Sequence, residues 1–347
     1  MNRREFLKCA FLAGVPVPFG DYDFLKDYGD YRSIRPIKNN KFARIVSCSD
    51  AKCVTGNYAI DAERAANLVR KALLEYTRRQ TVKDAVRSLF PVFKESLRVS
   101  IKINTASWGM PSHRVVAETL SACLVEGGLK PDNIIIWERA EKTLRGGGYA
   151  PRTGKGLVKI LATDTKGYGY DERSRVKIGD TRVYLTYIIT RHSDCLINIG
   201  VMKHHFITGI TGTMKNMYGA MPLLDEPIMA GPLNLVKFHL NGCDPYIGEL
   251  NAAVAHRVPT VLYVCDALVG SWSGGPWGPP QWIQNEILLG NDPVALDTIS
   301  LYRVEAMRKR RGLSPVLARS GHIRTAAAIG LGTNNPGQIE MIHSKIE

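Results

Sequence analysis

The densest run of reactive side chains is Ile197-Asn198-Ile199-Gly200-Val201-Met202-Lys203-His204-His205, continued by Thr208-Gly209-Ile210-Thr211-Gly212-Thr213-Met214-Lys215-Asn216. An apolar strand that leads into small and hydroxyl residues, and then into a short helix, offers backbone N–H groups to an anion. Lys203 and Lys215 add positive charge, and His205 can act as acid, base or metal ligand. No GxxxxGK[ST] is present, so the stretch is not a nucleotide P-loop. The same pattern also fits a capped helix with solvated lysines.

Other histidines extend the set. His113 sits at an expected helix start beyond the strand that carries Lys102, while His205 and His239 fall in loops after strands. Two or three of them, joined by Asp266, Asp292 or Asp297, could form an open three-ligand metal site. Nothing in the spacing fixes it, because neither HExxH nor HxH occurs. Asp292-Pro293 also reads as the cap and first turn of a helix. The seven cysteines, Cys9, Cys48, Cys53, Cys123, Cys195, Cys243 and Cys265, form no CxxC, so no iron–sulfur cluster is expected. Cys48 and Cys53 are close enough for a loop disulfide in an oxidising compartment, or could line a site.

Alternating strands and helices must position these groups. Strands are expected at Ala43 to Ser47, Leu97 to Asn104, Asn133 to Glu138, Val183 to Ile189, Cys195 to Ile199, Thr260 to Asp266 and Glu286 to Leu289. The continuous apolar run Ile134-Ile135-Ile136-Trp137 suits a strand buried on both faces. Helical periodicity spans Asp61 to Phe90, and a second helix runs from Ser112, its expected N-cap, to Gly127-Gly128. Further helices are expected at 245–256, 293–311 and 314–329. This alternation predicts an α/β fold: a doubly wound, mostly parallel sheet with helices on both faces and an irregular insertion at 141–180.

In open parallel sheets, ligands bind beyond the carboxyl ends of the strands. Five expected strands end in polar residues: Lys102 and Asn104, Glu138 and Arg139, Lys203 to His205, Asp266, and Asn291 with Asp292. Together they predict a cleft on one edge. The stretch Gly270 to Pro280 follows Asp266, and Trp272, Trp277 and Trp282 read either as a lid over that cleft or as a rigid loop packing its own tryptophans.

The N-terminal run Asn2-Arg3-Arg4-Glu5-Phe6-Leu7-Lys8, apolar from there to Gly20, resembles a twin-arginine export signal. Asn2 stands where Ser or Thr is usual, and no small-x-small cleavage site follows. The resemblance implies the twin-arginine export machinery as a partner and a periplasmic location. Residues 21–40 read as a linker, and 41–347 as a single α/β domain or as two lobes, 41–190 and 191–347.

With 347 residues, 45% of them hydrophobic and 22% charged, the chain can bury a large core and does not have a disordered composition. Its longest apolar run, Cys9 to Gly20, is broken by Pro16 and Pro18 and is too short to cross a bilayer. The net charge of +14 is scattered apart from Arg308-Lys309-Arg310-Arg311, which closes an expected helix. No nucleic-acid-binding signature accompanies it, so the expected partner is a small anionic ligand.

Several short motifs recur in order over residues 43–315. They include Lys102-Ile103-Asn104, Ile134 to Arg139, Ile197-Asn198, Lys203-His204-His205, Thr211-Gly212, Lys215-Asn216 and Gly219. His239, Cys243 to Leu250, Asp266-Ala267, Gly274-Gly275-Pro276 and Asp292 to Asp297 follow. The set resembles the domain-of-unknown-function 362 family, in a branch where twin-arginine leaders are common. The family often has Pro or Val where Ile103 stands, and a small residue in place of His204. Some relatives carry ferredoxin-like cysteine repeats that this chain lacks. The resemblance implies an α/β fold and leaves the activity open. A fainter similarity of Lys203-His204-His205 and Lys215 to the nickel-pincer lactate racemase group implies a metal or organometallic cofactor and a small hydroxy acid.

Together these readings predict an exported enzyme acting at the carboxyl edge of its sheet on a small carboxylate or phosphate, with or without a divalent metal. Lys102, Lys203 and Lys215 would bind the anion, while Asn104, Asn216, Thr211 and Gly212 orient it. His205 would be the acid–base group, with Lys203 beside it and Asp266 as its partner or a metal ligand. Metal ligands would come from His113, His205, His239, Asp292 and Asp297. The rival reading is a periplasmic binding or maturation module that holds its ligand without chemistry.

Overall fold

A computed structural model describes residues 40–107, 109–222 and 238–346. The twin-arginine-like segment and all but the last residue of the expected linker lie outside them. The first half comprises β1 (Ala43–Asp50), α1 (Ala62–Thr77), α2 (Val82–Ser88), β2 (Val99–Lys102), α3 (Arg114–Glu126), β3 (Ile134–Glu138), α4 (Glu141–Gly146) and β4 (Lys159–Ala162). A hairpin follows, β5 (Tyr170–Ile178) and β6 (Thr181–Thr186), then α5 (Tyr187–Arg191), β7 (Cys195–His205) and β8 (Gly209–Gly212). The second half continues with α6 (Tyr246–Arg257), β9 (Thr260–Ser271), β10 (Trp282–Gly290), α7 (Pro293–Arg310), α8 (Gly321–Ala328) and β11 (Ile339–Ile346).

Nine strands form one sheet in the order β11-β1-β10-β9-β7-β2-β3-β4, with β8 paired to β7. The pairs β11–β1, β9–β7, β7–β2, β2–β3 and β3–β4 are parallel, so the fold is the expected mostly parallel α/β sheet. Side chains alternate between its faces. Ile134 and Ile136, with Ile197 and Ile199, pack beneath α1, α2 and α3. Ile135 and Trp137, with Leu196 and Cys265, belong to the other core, with α6, α7 and α8. Helices therefore cover both faces.

β10 runs antiparallel to both β9 and β1. Asn291 and Asp292, at its carboxyl end, therefore emerge at the edge opposite to Lys102, Lys203 and Asp266, which corrects the expectation of five polar strand endings on one edge. The expected helix over Asp61 to Phe90 is two helices. Arg78 adopts φ 55° and closes α1, and Thr81 then caps α2 by accepting from the Asp84 N–H. The insertion at 141–180 is more regular than expected. It holds α4, the sheet-edge strand β4 and β5, whose alternating burial was hidden by the charges of Asp171-Glu172-Arg173. Val183 to Ile189 is strand only to Thr186, whose hydroxyl caps α5 at Ile188 N. No described helix is long and apolar enough to cross a membrane.

Candidate functional site

The carboxyl ends of β2, β3, β7 and β9 are adjacent, and the loop that leaves β2 crosses above them. Lys102 points inward and is 1% exposed. Its ammonium lies 2.7 Å from Glu138 Oε1, 2.5 Å from the Ile103 carbonyl and 3.1 Å from Asn216 Oδ1. Burial lowers its pKa, and the Glu138 carboxylate opposes that shift. Asn216 Oδ1 also accepts from Asn104 Nδ2 at 3.2 Å, while its own amide donates to Asn198 Oδ1 and the Ile199 carbonyl. Glu138 Oε2 receives the Thr105 N–H at 2.7 Å. Lys102, Asn104 and Asn216 are thus joined, but to one another and to Glu138, as a filled buried network.

Lys203 differs. It is 1% exposed and donates to Asn104 Oδ1 at 3.0 Å and the Met110 carbonyl at 2.9 Å. Among the described residues no carboxylate lies within ion-pair distance of it. Burial pushes its pKa down to about 7, against the more distant pull of Glu138 and Asp266. A buried amine with that balance can exchange a proton near neutrality.

Asp266, fully buried, takes His113 as its partner rather than His205. Its carboxylate accepts the His113 N–H at 2.7 Å and faces His113 Nδ1 at 3.0 and 2.9 Å. Burial works against protonation of the ring, but the carboxylate outweighs it, and the His113 pKa rises. His113 is the N-cap residue of α3; the expected cap, Ser112, instead accepts the Asn104 N–H through its hydroxyl at 2.9 Å. One loop, 103–113, therefore carries Asn104 and Met110 to Lys203 and delivers His113 to Asp266.

His205 is 3% exposed, and its Nδ1 accepts the Ile207 and Thr208 N–H groups at 3.1 and 3.3 Å. The neutral ring then carries its proton on Nε2 and can donate but has no free lone pair for base or metal-ligand duty. Burial holds its pKa well below the ordinary value, and Lys215 and His239 nearby push the same way. These bonds contradict the expected acid–base role of His205. His204 faces the other way, accepting the Gly275 N–H at 3.2 Å, and burial pushes its pKa down to about 3.

Lys215 lies beyond β8, 3.1 Å from His239 Nε2, 3.7 Å from Cys243 Sγ and 4.2 Å from the centre of the Tyr218 ring. Asp297, on α7, fixes this turn: it accepts from Thr213 N at 2.6 Å, Thr213 Oγ1 at 2.8 Å and Met214 N at 2.9 Å. Burial pushes the Asp297 pKa up to about 6 despite these bonds. Gly212 has φ +58°, and a Cβ there would lie 2.5 Å from the Asp297 carboxylate. Thr211 is 4% exposed, and its hydroxyl has no partner among the described residues. Asp292 caps α7 through Ala295 N at 2.9 Å and also binds Thr333 N at 2.9 Å.

The five expected metal ligands are therefore dispersed. His113 is engaged with Asp266, His205 by backbone, His239 with Lys215, and Asp297 with the turn after β8, while Asp292 is at the opposite edge. Among the described residues no three His, Cys, Asp or Glu side chains converge as a metal site would require. These donors do not fit a divalent ion. Cys48 and Cys53 are buried and unbridged, so the disulfide reading falls.

Trp272 and Trp282 stack on each other at 5.9 Å, and Trp277 meets Phe206 at 5.8 Å. The loop is seated on the site: Gly275 packs on His204, where a Cβ would lie 1.7 Å from its carbonyl oxygen, and the Ser107 hydroxyl donates to the Pro276 carbonyl. Sequence reasoning missed the roles of Glu138, Ser112 and Met110. Glu138 at a strand end opposite Lys102 was the one available signal; the Met110 contribution is a carbonyl, invisible to residue type.

A family model described as a domain of unknown function, DUF362, matches residues 99–302. No curated protein matches the chain. A crystal structure of a protein from Thermotoga maritima is similar with 10% identity and a TM-score of 0.36, over 71% of this chain and 58% of that one. This chain thus spans less than two thirds of that protein, and a likeness so slight carries no argument.

Proposed function

The chain belongs to the DUF362 family, and from that premise we propose that it is an exported enzyme that moves a proton on a small anionic substrate at the carboxyl edge of its sheet. The carrying observation is Lys203: a buried amine with a pKa near 7, held among the described residues by Asn104 Oδ1 and the Met110 carbonyl. In its neutral form it takes a proton from the substrate. His113, whose protonated form Asp266 favours, supplies an N–H to the oxygen on which charge develops. The His113 side chain is 22% exposed, the most accessible group of the three, and its positive charge favours an incoming carboxylate or phosphate. The Lys102–Glu138–Asn216 network holds Asn104, and so orients Lys203, without itself offering free charge. The Arg3-Arg4-Glu5-Phe6-Leu7-Lys8 run supports export to the periplasm.

The test is a panel of small hydroxy and keto acids and phosphomonoesters, followed by NMR for carbon-bound hydrogen exchange in deuterated water and for phosphate release. Wild type should act on at least one compound, and Lys203→Met should slow it by roughly 100-fold or more while still melting cooperatively. Activity that survives Lys203→Met overturns the assignment. Calorimetric binding with no turnover anywhere on the panel would instead make the protein a periplasmic binding or maturation module.

A further inference from the structure

The glycines that end α4, Gly146-Gly147-Gly148, bring the insertion up against the loop 103–113. A Cβ on Gly147 would lie 2.5 Å from Thr105 Cγ2 and 3.4 Å from Pro111 Cβ, so the approach leaves no room for a side chain. Gly148, at φ +83°, turns the chain into Tyr149. Tyr149 is buried, and its hydroxyl donates to the Ser112 carbonyl at 3.1 Å. Burial pushes its pKa well above the ordinary value, and the charge of Asp266 adds to this, so the hydroxyl keeps its proton and donates. The Ser112 carbonyl and the His113 N–H belong to one planar peptide unit and point in opposite directions. That N–H donates to Asp266 Oδ2 at 2.7 Å. One peptide is thus held at both ends, by Tyr149 from the insertion and by Asp266 from β9. Ser112 also closes the base of the loop: its N–H donates to the Asn104 carbonyl at 2.7 Å, and its hydroxyl accepts the Asn104 N–H at 2.9 Å. Asn104 Oδ1 is in turn an acceptor for Lys203.

We propose that Tyr149 is a positioning residue for the proton-transfer site: by fixing the Ser112–His113 peptide from its carbonyl side, it sets the direction of the His113 ring toward Asp266 and its place relative to Lys203. The proposal rests on the reading of Lys203 and His113 given above. Asp266 alone would hold the peptide at one end and leave it free to swing about that contact. The Tyr149 hydroxyl removes that freedom. Without it a buried carbonyl loses a donor, the peptide turns to find another, and the bonds from His113 to Asp266 lengthen.

Tyr149→Phe tests this, since it keeps the ring and removes only the hydroxyl. Ring-proton NMR titration of the full chain, with no substrate present, should show the His113 pKa falling from its raised wild-type value toward the ordinary one, because the hold of the carboxylate weakens. Tyr218→Phe is the structural control. Its hydroxyl likewise donates to a carbonyl, that of Phe238 at 2.8 Å, so this variant should lower Tm and leave the His113 pKa where it was. Gly147→Ala acts on the same loop by pressing on Thr105 and Pro111, and should move the His113 pKa in the same direction. It decides the matter if Tyr149→Phe does not fold. On any substrate found for wild type, kcat of Tyr149→Phe should fall by roughly 10-fold or more with KM little changed. The titration and the turnover assay separate the two readings. A His113 pKa that moves in Tyr149→Phe while wild type turns over nothing removes the enzyme and leaves Tyr149 positioning His113 for binding alone. A His113 pKa that is unchanged in Tyr149→Phe, or in Gly147→Ala where that variant stands in, or that moves equally in Tyr218→Phe, overturns the proposal, whether or not Lys203 proves catalytic. So does an unchanged kcat in a variant whose His113 pKa has moved.

Discussion

His113 Nδ1 lies 2.9 Å from Asp266 Oδ2, and the same carboxylate oxygen accepts the His113 main-chain N–H at 2.7 Å. A single fully buried side chain on β9 thus fixes both the ring and the start of α3. It also sets the protonation of the imidazole, since burial alone would drive the pKa down and the carboxylate reverses that.

Replacing Asp266 by Asn should separate these effects. The amide retains one acceptor but loses the charge, so burial is left unopposed and the His113 pKa should fall below the ordinary value of about 6.5. Ring-proton NMR titration reads this directly. An unchanged His113 pKa in Asp266→Asn would remove the carboxylate as the cause.

Lys203 should leave a mark on the pH dependence of stability. Its folded pKa is about 7, against an ordinary lysine value of 10.5. Between those values the unfolded chain binds more protons than the native one, so this residue makes stability rise with pH from about 7 to about 10.5. Below that window both states are protonated and the cost of burying the ammonium is present in full. Urea midpoints for wild type and Lys203→Met across this range should show the slope in wild type and a smaller slope in the variant. Parallel curves would mean that Lys203 titrates normally.

The sheet was legible because its buried strands are written as apolar runs: Ile134 to Trp137 and Leu196 to Ile199 can hardly be anything else. The direction of β10 was not. Strand polarity relative to a neighbour depends on the whole path of the chain, and that one reversal carried Asp292 away from the edge it was expected to share with Asp266. Lys102, Lys203 and Asp266 reached the expected edge, yet their partners followed from geometry that residue types do not encode. Asp266 could pair with any histidine on that edge, and His205 lost its expected role through two backbone N–H groups, Ile207 and Thr208. Glu138 looked like a loop-bordering charge, but it is the buried counter-ion that makes Lys102 affordable.

That ion pair is testable. The Lys102 and Glu138 side chains are 1% and 3% exposed and 2.7 Å apart. Glu138→Gln leaves an uncompensated ammonium in the interior and should destabilise by about 3–5 kcal/mol. Lys102→Met together with Glu138→Leu should recover part of that loss, though the Thr105 N–H then lacks its acceptor. Chemical denaturation of the two variants beside wild type checks the order. A single variant as stable as wild type would show that the pair is not buried as described.

Asp297 provides the last prediction, because it holds the turn that carries Lys215 without belonging to the proton-transfer site. It accepts three hydrogen bonds from Thr213 and Met214, and Asn in its place would turn an amide donor toward at least one of those N–H groups. Asp297→Asn should therefore cost about 1–3 kcal/mol. Gly212→Ala should do comparable harm by a different route, placing a Cβ 2.5 Å from that carboxylate at a backbone φ of +58°. The Asp297 pKa of about 6 lies above its unfolded value of 3.8, so the native state binds more protons between them and this residue lowers stability as pH rises from 4 to 6. Removing the ionisable group should flatten that part of the curve. If Asp297→Asn instead melts like wild type at pH 7 and leaves the acid limb unchanged, the carboxylate does not support the turn, and the placement of Lys215 must rest on β8 alone.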